Sequence, residues 1–100
     1  MHSGKIYICD ADQNSQRFLE KNLKSQGHFP ICFNQGSSLL QALENHDEEP
    51  PDLILIDMPL SDINGSDLLR QIKRLRPQLH VVPMNAFSTV RGAIEAMKLG

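Results

Sequence analysis

Two kinds of hydrophobic pattern alternate along this chain. Short apolar runs, rich in β-branched and aromatic residues, occupy residues 5–9, 29–33, 52–57 and 80–85. Each is bounded by turn-forming residues, as strands buried on both faces are. Between and after them, apolar residues recur at helical spacing. Phe18, Leu19 and Leu23 mark a helix over 13–26, and Leu39, Leu40 and Leu43 one over 38–45. Leu68, Leu69, Ile72 and Leu75 mark a third over 66–76, and Val90, Ala93, Ile94 and Met97 a fourth over 89–99. Strand followed by helix, four times over, implies right-handed crossovers and an α/β fold: a doubly wound parallel sheet covered on both faces.

The punctuation agrees with that order. Asp12 is placed to cap the first helix, with Ser15 three positions on, and Gly27 is suited to stop it. Pro77 ends the third helix. Pro30 cannot donate to a strand ladder, so the second strand is expected at an edge, and Pro83 is awkward for a central strand. His46-Asp47-Glu48-Glu49-Pro50-Pro51 reads as a solvated connector. The chain stops at Gly100, directly after a helical pattern. A four-stranded sheet would then expose the strand-one edge, where a fifth strand is expected to pair, so the chain reads as a fragment of a longer one or as covered there by a partner.

Composition narrows the class. One hundred residues, 40% hydrophobic and 22% charged, make one soluble domain with a single core. A net charge of −2, with Lys and Arg scattered, gives no case for direct nucleic-acid contact or membrane-surface binding. No apolar run has the length of a membrane span, and no secretory leader precedes the first strand. Cys9 and Cys32 fall inside apolar runs and read as buried thiols of a reducing compartment, so a cytoplasmic location is expected. His2, His28, His46 and His80 lack metal-ligand spacing and read as solvated surface.

The chemistry lies at the strand ends. Strands one, three and four end in Asp10, Asp57 and Asn85, which a doubly wound sheet brings to one crevice. Carboxylates at close quarters repel unless a proton or a hard cation joins them, and Mg²⁺ takes one or two carboxylates plus waters and phosphate. One aspartate in such a pocket can act as a nucleophile toward phosphorus. An aspartate ending a parallel strand can equally serve only to cap the next helix.

The run 5–10, the run 51–57, Gly65 eight positions after Asp57 and the stretch 90–100 together resemble the receiver domain of bacterial two-component response regulators. The last helix is most similar to receivers fused to sigma-54-dependent enhancer-binding ATPases. The resemblance covers the whole chain. It implies a flavodoxin-like receiver fold truncated before strand five, with residues 1–100 the N-terminal part of a longer regulator. It implies a signalling module rather than an enzyme, controlling an attached transcription-activator output domain. Asp57 is then the phosphoacceptor, supplied by a histidine kinase or phosphotransfer protein. Mg²⁺ falls to Asp10, Asp57, the backbone carbonyl of Pro59 and Asp12, the last standing in for an absent second acid. Asn85, followed by Ala86, occupies the phosphate-sensing position.

The departures from that pattern matter. Ala11 stands where the second acid is expected and has no side-chain oxygen, Asn85 replaces a hydroxyl residue, and Ser61 replaces an expected proline. Losing a carboxylate ligand weakens Mg²⁺ binding and removes charge stabilisation from phosphoryl transfer. A degenerate pseudo-receiver is therefore the alternative: a phosphorylation-independent interaction module, with a homodimer through the face of the fourth helix as one arrangement. Two further readings compete. Asp10-Ala11-Asp12 resembles the nucleophile loop of haloacid-dehalogenase-type phosphatases, with Asp10 as nucleophile and Asp12 as general acid, and a purely structural α/β interaction domain needs no ligand at all.

Overall fold

In the computed structural model, which describes residues 4–57, 60 and 62–84, four parallel strands lie in the order β2-β1-β3-β4. They are β1 (Lys5–Cys9), β2 (Phe29–Phe33), β3 (Leu53–Asp57) and β4 (Val81–Met84), connected by α1 (Gln13–Ser25), α2 (Gly36–Glu44) and α3 (Gly65–Leu75). The chain steps outward from β1 to β2, then crosses back over β1 to reach β3. The carboxyl ends of β1 and β3 therefore flank the point where the winding reverses, and crevices open there in folds of this kind.

Side chains alternate between the two faces of a strand, and both faces are filled. Ile6, Ile8, Leu53 and Leu55 point to one face, where Leu19 and Leu23 of α1 cover them. Tyr7, Cys9, Ile54 and Ile56 point to the other and meet Leu39 and Leu43 of α2, Leu68 and Ile72 of α3, and Leu79. That is why β1 and β3 read as unbroken apolar runs rather than as alternating ones. Tyr7 also packs edge-on against Phe33 of β2, with ring centroids 5.0 Å apart.

The expected helix signals operate. Asp12 caps α1, its Oδ1 accepting the Asn14 N–H at 3.1 Å and its Oδ2 the Ser15 hydroxyl at 3.1 Å. Gly27 leaves the helix at φ +86°, a left-handed conformation that suits glycine, and its N–H reaches back to the Lys24 carbonyl. Asn64 caps α3 by accepting the Ser66 N–H at 2.8 Å. α2 begins at Gly36 rather than at residue 38, because its first amides find an acceptor outside the helix.

The two strand prolines fit for a common reason. The Phe29 N–H donates to the Gly4 carbonyl, and the Phe33 carbonyl accepts from the Asp10 N–H. Main-chain groups of successive residues face opposite sides of a strand, so those of Pro30 face away from β1. The Ile54 N–H likewise donates to the His80 carbonyl, which turns Pro83 away from β3 although it pairs in register with Ile56. Neither proline interrupts the ladder it belongs to.

Two expectations need correction. β1 is not an edge: it pairs with β2 on one side and β3 on the other, so the strand-one edge is covered, and the outer strands of the described sheet are β2 and β4. His28 is not solvated surface: it is buried, and its Nδ1 accepts the Gly4 N–H at 3.0 Å. That bond fixes the start of β1 beside the turn that follows α1. The predicted fourth helix lies outside the described residues. No helix among the described residues is long and apolar enough to cross a membrane.

Candidate functional site

Two aspartates meet where the winding reverses. Asp57 is the last residue of β3 and half-buried, while Asp10 directly follows β1 and is only 2% exposed. β1 and β3 are paired in register up to Cys9 and Ile56, which brings the next residue of each strand side by side. Their carboxyl groups are close enough that Asp57 raises the pKa of Asp10. Asp10 is held further by the Asp12 N–H, which donates to its Oδ1 at 2.9 Å.

Such a pair cannot carry two free charges cheaply. Burial pushes the Asp10 carboxyl up to about 6, and the charge of Asp57 adds to the rise, while the Asp12 amide opposes it. Asp10 therefore favours holding a proton or sharing a cation with its neighbour. Burial also raises the adjoining Cys9 thiol to about 12, helped by the charges of Asp62, Asp10 and Asp57, so Cys9 stays protonated and is no nucleophile.

The other sequence-predicted residues fall elsewhere. Asp12 is exposed and both its oxygens are engaged in capping α1, which leaves it turned to the helix rather than to the pair. That engagement also speaks against Asp12 as the general acid of a phosphatase loop. Ala11 is exposed and supplies no oxygen. Among the described residues no three His, Cys, Asp or Glu side chains are grouped to hold a metal ion. The oxygens of Asp10 and Asp57 are the right type for a hard cation such as Mg²⁺, and two carboxylates suffice when water and phosphate complete the shell. Pro59, Asn85 and Ala86 lie outside the described residues.

Two residues that the sequence reading did not single out brace this end of the sheet. The side-chain amide of Gln16, one turn into α1, donates to the Asp10 carbonyl, to the Phe33 carbonyl at 3.4 Å and to Asn34 Oδ1 at 3.0 Å. It ties together the ends of β1 and β2. Asp62, in the loop after β3, accepts the Gly36 N–H on Oδ1 and the Ser37 N–H on Oδ2, each at 3.0 Å. Those N–H groups hold its carboxyl below the usual carboxylate range. No sequence signal pointed to Asp62, because the need for an outside acceptor shows only once α2 is seen to start at Gly36 after Gln35, which makes no side-chain cap.

Comparison with known proteins gives a consistent result. A family model described as the response regulator receiver domain matches residues 6–100. The DNA-binding transcriptional regulator NtrC of Proteus hauseri is 31% identical over 100 residues, which is 100% of this chain and 20% of that protein. The transcriptional regulatory protein ZraR of Klebsiella oxytoca is 35% identical over 95 residues, 95% of this chain and 21% of that protein. The solution structure of the beryllofluoride-activated NtrC receiver domain superposes with a TM-score of 0.71 at 32% identity, covering 100% of this chain and 78% of that one. The chain spans about a fifth of the length of the curated relatives it matches.

Proposed function

The chain belongs to the response regulator receiver domain family, and on that premise we propose that it is the phosphoryl-accepting switch of a two-component regulator, with Asp57 as the acceptor. The observation that carries this reading is the placement of Asp57 beside buried Asp10 at the winding reversal, fixed by the register of β1 and β3. The beryllofluoride-activated state of the similar NtrC receiver supports it. The donor is a phosphohistidine of a histidine kinase or phosphotransfer protein. An Asp57 oxygen forms the new bond to phosphorus, the phosphorus–nitrogen bond breaks, and the imidazole leaves with the electron pair and takes up a proton. Asn85, with Ala86 beside it, is the proposed sensing position, and the output is an attached activator domain of the sigma-54-dependent type in a cytoplasmic regulator.

The carboxylates of Asp10 and Asp57 fit Mg²⁺; they would hold it, with the Pro59 carbonyl as the further proposed donor, and it would neutralise charge on the phosphoryl oxygens. Ala11 removes one ligand, and the cap geometry of Asp12 supports a weaker site than one with three carboxylates. The test is incubation with acetyl phosphate and Mg²⁺, followed by intact-mass measurement. A gain of one phosphoryl group that disappears in Asp57→Asn is expected. No gain at saturating donor overturns this reading. It favours the second one, to which Ala11 and the engaged Asp12 already point: a receiver-fold interaction module that works without phosphorylation, as a homodimer or against another partner.

A further inference from the structure

We propose that Asp62 is a positioning residue for the acceptor site, tethering its own position, five residues after Asp57, to the start of α2; this deepens the acceptor reading and rests on it. Three observations support the assignment. First, α2 depends on Asp62 for its side-chain cap. Gln35 makes no cap bond of its own, and the two leading amides of the helix, Gly36 and Ser37, each donate to one Asp62 oxygen at 3.0 Å. A carboxylate there is also favoured by the positive end of the helix dipole.

Second, the contact is too close to be incidental. A Cβ added at Gly36 would lie 2.3 Å from Ile63 Cγ2 and 3.3 Å from a Leu68 methyl. The residue that follows Asp62 is seated directly on the helix start, in space that only glycine leaves open. Third, the same short segment is anchored from below. Leu60 and Ile63 both pack against the core cluster that contains Cys9 and Ile56, the residues just before Asp10 and Asp57. Asp62 stands five residues after Asp57. The described residues beyond the acceptor are thus held above by two hydrogen bonds to Asp62 and below by the side chains of Leu60 and Ile63. An acceptor oxygen must meet phosphorus in line, and small misplacements of such geometry are costly in rate.

The series Asp62→Asn and Asp62→Ala tests this, with Asn64→Ala as the control that removes a cap of α3 and leaves the α2 contact in place. Asparagine retains one acceptor oxygen and presents an amide to the second N–H, so it keeps part of the tether. Amide hydrogen exchange at Gly36 and Ser37 is expected to quicken by roughly tenfold in Asp62→Ala and by less in Asp62→Asn, with no change in Asn64→Ala. The initial rate of phosphorylation by acetyl phosphate is expected to fall about tenfold in Asp62→Ala, to recover in part in Asp62→Asn, and to stay within about twofold in Asn64→Ala. The ¹³C carboxyl resonance of Asp57 is expected to move in the same order.

If the natural protein is phosphorylated and Asp62→Asn and Asp62→Ala match it in both rate and Asp57 resonance, the positioning role is overturned while the acceptor reading stands. If no phosphoryl group is taken up, the acceptor reading falls, and the Asp57 resonance decides on positioning. A shift graded along the Asp62 series and absent in Asn64→Ala upholds it, and an unmoved resonance overturns it. Should Asp62→Ala fail to fold by circular dichroism, Asp62→Asn carries the comparison.

Discussion

Replacing Asp10 by asparagine is expected to stabilise the metal-free protein at neutral pH, although it alters the most deeply placed charge of the candidate site. Asp10 titrates near 3.8 in an unfolded chain and is pushed up to about 6 in the fold by burial, with the charge of Asp57 adding to the rise. Between those values the folded state holds a proton that the unfolded chain has released. Stability therefore falls as pH rises through this window and levels off above it. At about 1.4 kcal/mol per pKa unit, the ionised carboxylate costs the fold roughly 3 kcal/mol as an upper figure. Because Asp10 is 2% exposed, little of that cost is screened by solvent. Asparagine keeps an oxygen for the Asp12 N–H and brings no charge beside Asp57. Allowing for repacking, a gain of about 1–3 kcal/mol is expected above pH 6, shrinking to nothing below pH 4. Urea unfolding followed by far-ultraviolet circular dichroism, from pH 4 to 8 in the presence of a chelator, measures it. Adding Mg²⁺ should then narrow the gap, because a cation that binds the native protein stabilises it and the variant has lost a ligand. A variant less stable than the parent at pH 7.5 without metal, or a difference that does not change with pH, would refute the reasoning.

Ala11→Asp places a carboxylate where the receiver pattern expects the second acid. It should raise Mg²⁺ affinity by about tenfold, measured by calorimetric titration, since ligand charge count tunes hard-cation sites. Without metal, the same substitution should lower stability at neutral pH by adding a third charge beside Asp10 and Asp57. Gly36→Ala should destabilise by about 1–3 kcal/mol, because the new methyl meets Ile63 Cγ2 at 2.3 Å on a stiff β-branched side chain. Part of that loss should return in the double variant with Ile63→Ala, read as a coupling between the two sites in thermal or urea unfolding. Leu55→Ala, at a fully buried position of β3, should cost about 2–5 kcal/mol in urea unfolding and leave the m-value unchanged.

What was legible in the sequence was local. The four apolar runs, the helical periodicity of 13–26 and 66–76, the Asp12 cap, the Gly27 stop and the edge position signalled by Pro30 each depend on a few neighbouring residues, and each is present in the fold. The convergence of Asp10 and Asp57 was legible too, because parallel strands in a doubly wound sheet bring their carboxyl ends together. What depends on distant partners was not. The interior place of β1 follows from which strands bury which faces, and no local pattern encodes that order. His28 is buried because a main-chain N–H 24 positions away needs an acceptor, and a lone histidine near a turn does not announce such a partner. Asp62 reaches across 26 positions to Gly36, so its loop looks like ordinary turn chemistry until the two elements are seen together. Asp12 shows the converse. In the sequence it reads both as the cap of α1 and as a stand-in cation ligand, and the bonds within its own first helical turn give each of its oxygens a partner in the capping role.

The outward turn of the two strand prolines determines how this sheet meets other molecules. Along the free side of β2 the N–H of His28 is already given to the Leu23 carbonyl, and Pro30 has none. Cys32 is left as the strand's single outward donor within its described span. Pro83 interrupts the free side of β4 in the same way. An incoming strand needs a regular row of donors and acceptors, so each outer margin of the described sheet is a poor template for fibril-like growth. Phe29, at 65% exposed, and Ile31, at 41%, can therefore stand at the margin of β2 without inviting a neighbouring chain to continue the ladder. At the described margins of β2 and β4, association through side chains is thus favoured over continuation of the ladder.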